Sequence, residues 1–330
     1  MMRYLKLIIL IIFTFSSLTV SAQDEDIITP QDLAPEQGQF IEVNGVEIYF
    51  EDYGVADNPT MILLHGFGGS SFTWRDNISS LVDAGYRVVT FDRPPFGLSD
   101  KSLETDYTTS AQLDYMLGLM GALEIDRATL VGHSAGGGII SYFSTLYPER
   151  VDALVFVAGA VPIPRDVVVT DDDSDDDDSG LGSLFELAGS LDPASSVSQN
   201  LVQSFLTPER FVELLSSAYY DPAIVTDEIA EGYQLPLQIT GWEIGFISYF
   251  ASRNETLEFD LDAFSTLDIP ISIIWGEDDT WVPISAGEAL AEFFPNSTFI
   301  TYPLVGHLPM EENPEQFNTD LLAFIDTVYE

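Results

Sequence analysis

The sequence predicts an α/β fold: a doubly wound, mostly parallel sheet interrupted by an inserted helical cap. Three observations carry this. Short apolar runs alternate with helical patterns along most of the 330 residues, the arrangement that builds parallel sheets from repeated strand–helix–strand units. Near the start, Asn44-Gly45 joins two β-rich runs and signals a hairpin. Between Ala158 and Ile271, about a hundred residues contain helical patterns but no convincing strand.

Taken in order, residues 1–22 carry Arg3 and Lys6, then an apolar run, then small residues ending at Ala22. That order reads as a secretory signal peptide, so the protein is expected to be secreted or periplasmic; the alternative is an N-terminal membrane anchor. Runs 39–43 and 46–53 form the hairpin. Apolar runs at 61–64, 87–91, 128–131, 154–157, 271–275 and 298–302 suit strands buried on both faces. Helical patterns occupy 110–123, 137–147, 286–294 and 314–328. Within the insertion, Thr207-Pro208 and Thr226-Asp227-Glu228 open helices with capping residues. An all-helical insertion over 161–262 lies between core segments 23–160 and 263–330. It reads as a cap over the carboxyl edge of the sheet, where open α/β sheets bind ligands. Residues 171–178 are seven aspartates and one serine; such a run repels itself and is expected to be a disordered loop. The alternating ligands and central glycine of a calcium loop are missing from it.

Composition removes several classes of function. Eleven basic and 54 acidic residues give a formal charge of −43, which would repel nucleic acid and anionic membrane surfaces. The absence of cysteine removes thiolate nucleophiles, disulfides and thiolate metal sites. Lysines occur only at positions 6 and 101, leaving almost no amine for Schiff-base chemistry. Imidazole chemistry must use His65, His133 or His307. No carboxylate cluster forms a metal motif, so neither a metal nor a cofactor is expected, and the partner implied is a small-molecule substrate.

Gly132-His133-Ser134-Ala135-Gly136 stands between an apolar run and a helical pattern. A serine on such a strand-to-helix turn exposes its hydroxyl, and the helix behind it favours developing negative charge. A serine nucleophile needs a base, and the base needs an orienting acid. His307 follows the last apolar run and is the only histidine outside the two glycine-rich turns. Asp278 and Asp279 follow the run 271–275. The order Ser134, Asp279, His307 is the one expected with this turn. His65-Gly66-Phe67-Gly68-Gly69 closes the run 61–64; there the amides of Phe67 and Ala135 are candidates to hold an oxyanion, with His65 bracing the turn. His133 reads as a filler beside the nucleophile.

These segments, together with Asp92-Arg93-Pro94-Pro95-Phe96-Gly97-Leu98-Ser99, Trp275-Gly276-Glu277-Asp278-Asp279 and Glu312-Asn313-Pro314-Glu315, resemble the successive signatures of the α/β-hydrolase fold superfamily. The resemblance runs from about Gln39 to the C-terminus. It implies Ser134 as nucleophile, His307 as base, and Asp279 rather than Asp278 as acid, because the family's acid usually stands three residues after the glycine, here Gly276. Serine at the turn departs from the aspartate of haloalkane dehalogenases and epoxide hydrolases. Leu308 departs from the tryptophan that often follows the histidine of carbon–carbon hydrolases. Lys101 is no counterpart of the lysine in hydroxynitrile lyases of this fold. The expectation is a serine hydrolase acting on an ester or related acyl bond. Carbon–carbon bond hydrolysis and a non-catalytic binding role are the alternatives. Phe185, Phe205, Phe211, Tyr219, Trp242, Phe246 and Tyr249 suggest an apolar lid.

Overall fold

The computed structural model describes residues 27–163, 187–252 and 257–329. The expected signal peptide, the aspartate run and Phe185 lie outside them. Eight strands form one sheet: β1 Gln39–Val43, β2 Val46–Tyr53, β3 Thr60–Leu64, β4 Arg87–Phe91, β5 Ala128–His133, β6 Val151–Val157, β7 Ile271–Gly276 and β8 Thr298–Tyr302. Their order is β1-β2-β4-β3-β5-β6-β7-β8. Strand β2 is antiparallel to both β1 and β4, and the rest pair in parallel. The hairpin turns at Asn44 and Gly45, both at positive φ (54° and 83°), the geometry for which Asn-Gly is the favoured pair.

Parallel strands covered by helices on both faces must be apolar on both, which is why they were legible as continuous runs. The alternation of side chains then divides the core in two. Ile62, Leu64, Leu130, Leu154, Phe156, Ile273 and Trp275 pack on one face, and Met61, Leu63, Val131, Val155, Val157 and Ile274 on the other. Strand β6 starts at Val151, earlier than the sequence predicts. Asp152 breaks the apolar run there, yet it is retained at the strand's start by an ion pair with Arg127 (2.6 Å). The short helix Ile78–Asp83, too brief to set up a helical period, was not foreseen.

Between β6 and β7 the described residues contain helices Ser196–Phe205, Pro208–Ser217, Asp227–Gln234, Trp242–Ser252 and Leu261–Ser265, and no strand. Thr207 and Thr226 cap their helices by accepting the N–H groups of Arg210 and Ile229. Among the described residues no helix is long and apolar enough to cross a membrane.

The topology places the chemistry. After β3 the chain turns to β4 on one side, and β5 is added on the other, so the loops leaving β3 and β5 part at a switch point. Those loops carry Phe67 and Ser134. Neighbouring β7 and β8 end in the loops that carry Asp279 and His307.

Candidate active site

Ser134 has φ 49° and ψ −120°, a sparsely populated conformation for a residue with a Cβ. The backbone around it is fully engaged. Its N–H donates to the Val157 carbonyl (3.0 Å), and its carbonyl accepts from Gly137 (2.8 Å) and Ala160 (2.9 Å). The turn fits only because its neighbours lack side chains: a Cβ on Gly136 would lie 2.6 Å from the Leu64 carbonyl oxygen, and one on Gly66 2.9 Å from the Ser134 Cβ. Helix Ala135–Leu146 starts directly behind Ser134, so the Ala135 N–H belongs to the first turn, where amides have no helical acceptor.

Asp279 and His307 are buried and in contact: Nδ1 of His307 is 2.8 Å from Oδ2 of Asp279. The other carboxylate oxygen accepts the N–H groups of Trp281 (2.8 Å) and Val282 (2.9 Å). Trp275, at the end of β7, fixes this loop by donating Nε1 to the Val282 carbonyl (2.9 Å). With Nδ1–H given to the acid, Nε2 of His307 is the atom left for proton transfer. Asp278 faces elsewhere, accepting the Leu304 N–H at 3.0 Å. Ser134 and His307 line one narrow cavity of about 60 Å³, together with Phe67, Gly68, Trp281 and Leu308. Among the described residues no hydrogen bond joins the Ser134 hydroxyl to the His307 ring; such contacts are commonly long without substrate.

The remaining histidines are structural. Nδ1 of His65 donates to the Gly66 carbonyl (2.7 Å), and Nε2 accepts the Arg93 N–H (2.9 Å). Both nitrogens are therefore committed to backbone, one within the turn that bears Phe67 and one in the loop after β4. Nε2 of His133 donates to the His307 carbonyl (2.9 Å), and its ring lies 4.8 Å from that of His307. Burial pushes the pKa of both well below the ordinary imidazole range, His65 further through the Arg93 charge and His133 through His307.

Three contributors were not foreseen. Trp281 stacks on His307, with ring centroids 5.4 Å apart. A second apolar lobe of about 70 Å³ adjoins the first across Phe67, Phe211, Leu214 and Tyr233, and reaches Trp242 and Phe246 of the cap. Lys101 lines that lobe; its ammonium donates to the Gly97 (2.5 Å) and Ser99 (2.9 Å) carbonyls, and burial pushes its pKa down to about 7. Of the aromatic residues expected in a lid, Phe246 and Tyr249 pack on the ring of Phe67, joining the cap to the loop after β3. Among the described residues, no three His, Cys, Asp or Glu side chains stand together as a metal site would require.

A mostly parallel sheet with a serine at the turn after β5, an acid after β7 and a histidine after β8 defines an α/β hydrolase. A family model for the alpha/beta hydrolase fold matches residues 59–314, and the chain belongs to that family. It is 28% identical over 283 residues to an uncharacterized hydrolase, YugF, of Bacillus subtilis, covering 86% of this chain and 96% of the relative. It is also 28% identical over 284 residues to a 2-hydroxy-6-oxononadienedioate/2-hydroxy-6-oxononatrienedioate hydrolase of Paraburkholderia phymatum, covering 85% and 91%. Among solved structures, a meta-cleavage product hydrolase of Pseudomonas fluorescens IP01 superposes with a TM-score of 0.70 at 28% identity, covering 88% of this chain and 98% of that one.

Proposed function

We propose that the chain is a serine hydrolase that cleaves a carboxylic ester, or a related acyl bond, of a small and largely apolar substrate through an acyl-enzyme. Ser134 Oγ attacks the carbonyl carbon while Nε2 of His307 takes its proton. Asp279 holds the opposite ring nitrogen and stabilises the imidazolium. The N–H groups of Phe67 and Ala135 receive the oxyanion. His307 then returns the proton to the departing alkoxide, and water, deprotonated by the same nitrogen, releases the acid. The observation that carries this reading is the hydrogen-bonded Asp279–His307 pair opening on the same apolar cavity as Ser134. Export of the mature chain from Gln23 is part of the proposal, checked by N-terminal sequencing of the secreted protein.

A second reading, hydrolysis of a carbon–carbon bond, is favoured by the names of two of the three 28% identical proteins, the Paraburkholderia phymatum and Pseudomonas fluorescens hydrolases, which act on oxo-acid or meta-cleavage substrates. Against it, a dienoate or dienedioate brings at least one carboxylate. Among the described residues lining the two lobes the one cation is Lys101, in the lobe away from Ser134. Turnover of p-nitrophenyl esters of graded acyl length, measured beside a 2-hydroxy-6-oxo-dienoate, separates the two. Ester turnover that peaks at short to medium chains supports the proposal. Preference for the dienoate, with esters inert, replaces it with the second reading.

A further inference from the structure

Four consecutive cap residues at the end of helix Pro208–Ser217 each hold a loop of the core. Ser217 accepts Nε1 of Trp281 at its hydroxyl (3.1 Å) and Oγ1 of Thr280 at its carbonyl (3.3 Å). The Ala218 carbonyl accepts the backbone N–H of His307 at 2.7 Å. Tyr219 donates its hydroxyl to Glu311 (2.7 Å), and the Tyr220 N–H donates to Glu312 (2.8 Å). The approach is close because residue 306 is glycine: a Cβ there would lie 2.6 Å from the Ala218 oxygen. Thr280 and Trp281 follow Asp279, and Glu311 and Glu312 follow His307, so one strap bridges the acid loop and the base loop.

Glu311 anchors the strap. Its side chain is wholly buried and accepts Nη2 of Arg75 (2.6 Å) and the hydroxyl of Tyr233, from cap helix Asp227–Gln234, as well as Tyr219. Tyr233 in turn shares a hydrogen bond with Thr73 (3.1 Å), beyond the Phe67 turn. A cap that only covered substrate would need no bond to the backbone of the histidine. From these contacts we infer that residues 217–220, anchored on Glu311, position His307 against Asp279, so that the cap governs the competence of the base in addition to enclosing substrate. Tyr219 and Glu311 are thus positioning residues. This rests on His307 being the base.

The test compares wild type with Tyr219→Phe and Glu311→Gln in the full chain. Loosening the strap is expected to lower kcat and the rate of fluorophosphonate labelling at Ser134 by about ten- to a hundred-fold, the scale of a small misplacement, with KM changed less than about twofold. The low-field proton NMR resonance of His307 Nδ1–H should weaken or move upfield in parallel. If Glu311→Gln does not fold, Tyr219→Phe, which removes a single hydroxyl, carries the comparison. A folded Tyr219→Phe with unchanged labelling and an unchanged resonance, or with an effect on KM alone, overturns the inference. A wild type that does not label at Ser134 overturns the nucleophile and base assignment instead, and the resonance then still decides whether the strap holds the His307–Asp279 bond.

Discussion

Ser134 and His307 reach one cavity by opposite means. The turn at Ser134 is a backbone construction inside the core: its N–H bonds to the end of β6, its carbonyl accepts from Gly137 and Ala160, and its glycines let backbones touch. The loop bearing His307 is held by contacts from outside the sheet, two from carboxylate side chains and one from a backbone carbonyl of the cap. These are Asp279 on the ring, Glu312 on the N–H groups of Gly306 (2.9 Å) and Leu308 (3.3 Å), and the cap on the backbone of His307 itself. A site of this kind has one half set by the sheet and another that can respond to its cap. The Ser134 half should tolerate no added atom, whereas the His307 half should lose rate before it loses stability.

The largest expected effect lies in the first half. Ser134→Ala should lower turnover by about 10⁶-fold while leaving the melting temperature close to wild type, measured by steady-state kinetics and calorimetry. Next comes the acid. Asp279→Asn should cost about 10³- to 10⁴-fold, the scale of losing the correct tautomer, whereas Asp278→Asn, which gives up only the Leu304 contact, should stay within a few-fold. Reversed magnitudes would move the acid by one residue.

A pair of glycine variants sharpens the contrast. Gly136→Ala forces a Cβ to 2.6 Å from a strand carbonyl and should destabilise by about 1–3 kcal/mol, read by denaturant titration. Gly306→Ala meets the cap at the same distance; there the strap can yield, so stability should change less while kcat falls. Equal losses of stability would remove the distinction between the halves.

The smallest expected effect is a pH slope. Asp92, buried under the residues that follow the Phe67 turn, accepts the N–H of Ser71 (2.6 Å) and of Leu98 (2.7 Å), yet burial raises its pKa from 3.8 to about 6. The native state then binds this proton more tightly than the unfolded chain. Its contribution is complete below the unfolded value and is lost as pH rises through 6. Wild type should therefore gain about 1 kcal/mol relative to Asp92→Asn between pH 7 and pH 5, and parallel pH profiles of the two proteins would contradict this.

The strands and the glycine-flanked turn at Ser134 were legible because their causes are local. Burial on both faces writes an apolar run such as Val88-Val89, and a close backbone turn writes Gly132-His133-Ser134-Ala135-Gly136. The segment Glu277-Asp278-Asp279 could be picked out from its place after β7, whereas the choice of Asp279 over Asp278 came from the family resemblance. The support of His307 was not legible, since Tyr219, Trp281 and Glu311 are distant from one another in sequence, and a glutamate carries little signal in a chain with 54 acidic residues. Lys101 was read only as a scarce amine and as no counterpart of the lysine in hydroxynitrile lyases. That its stem lines an apolar lobe depends on how the cap helix Trp242–Ser252 packs, with Gly245 against Lys101, and such packing leaves no periodic trace.

The most direct test of the central claim, that His307 and Asp279 activate Ser134, is peptide-mapped labelling with a fluorophosphonate across pH. The expected result is a single adduct on Ser134, formed more slowly as the solution is acidified and the base takes up a proton, slowed in Asp279→Asn and absent in Ser134→Ala. An adduct on another serine, or a labelling rate that is the same in wild type and Asp279→Asn, would contradict it.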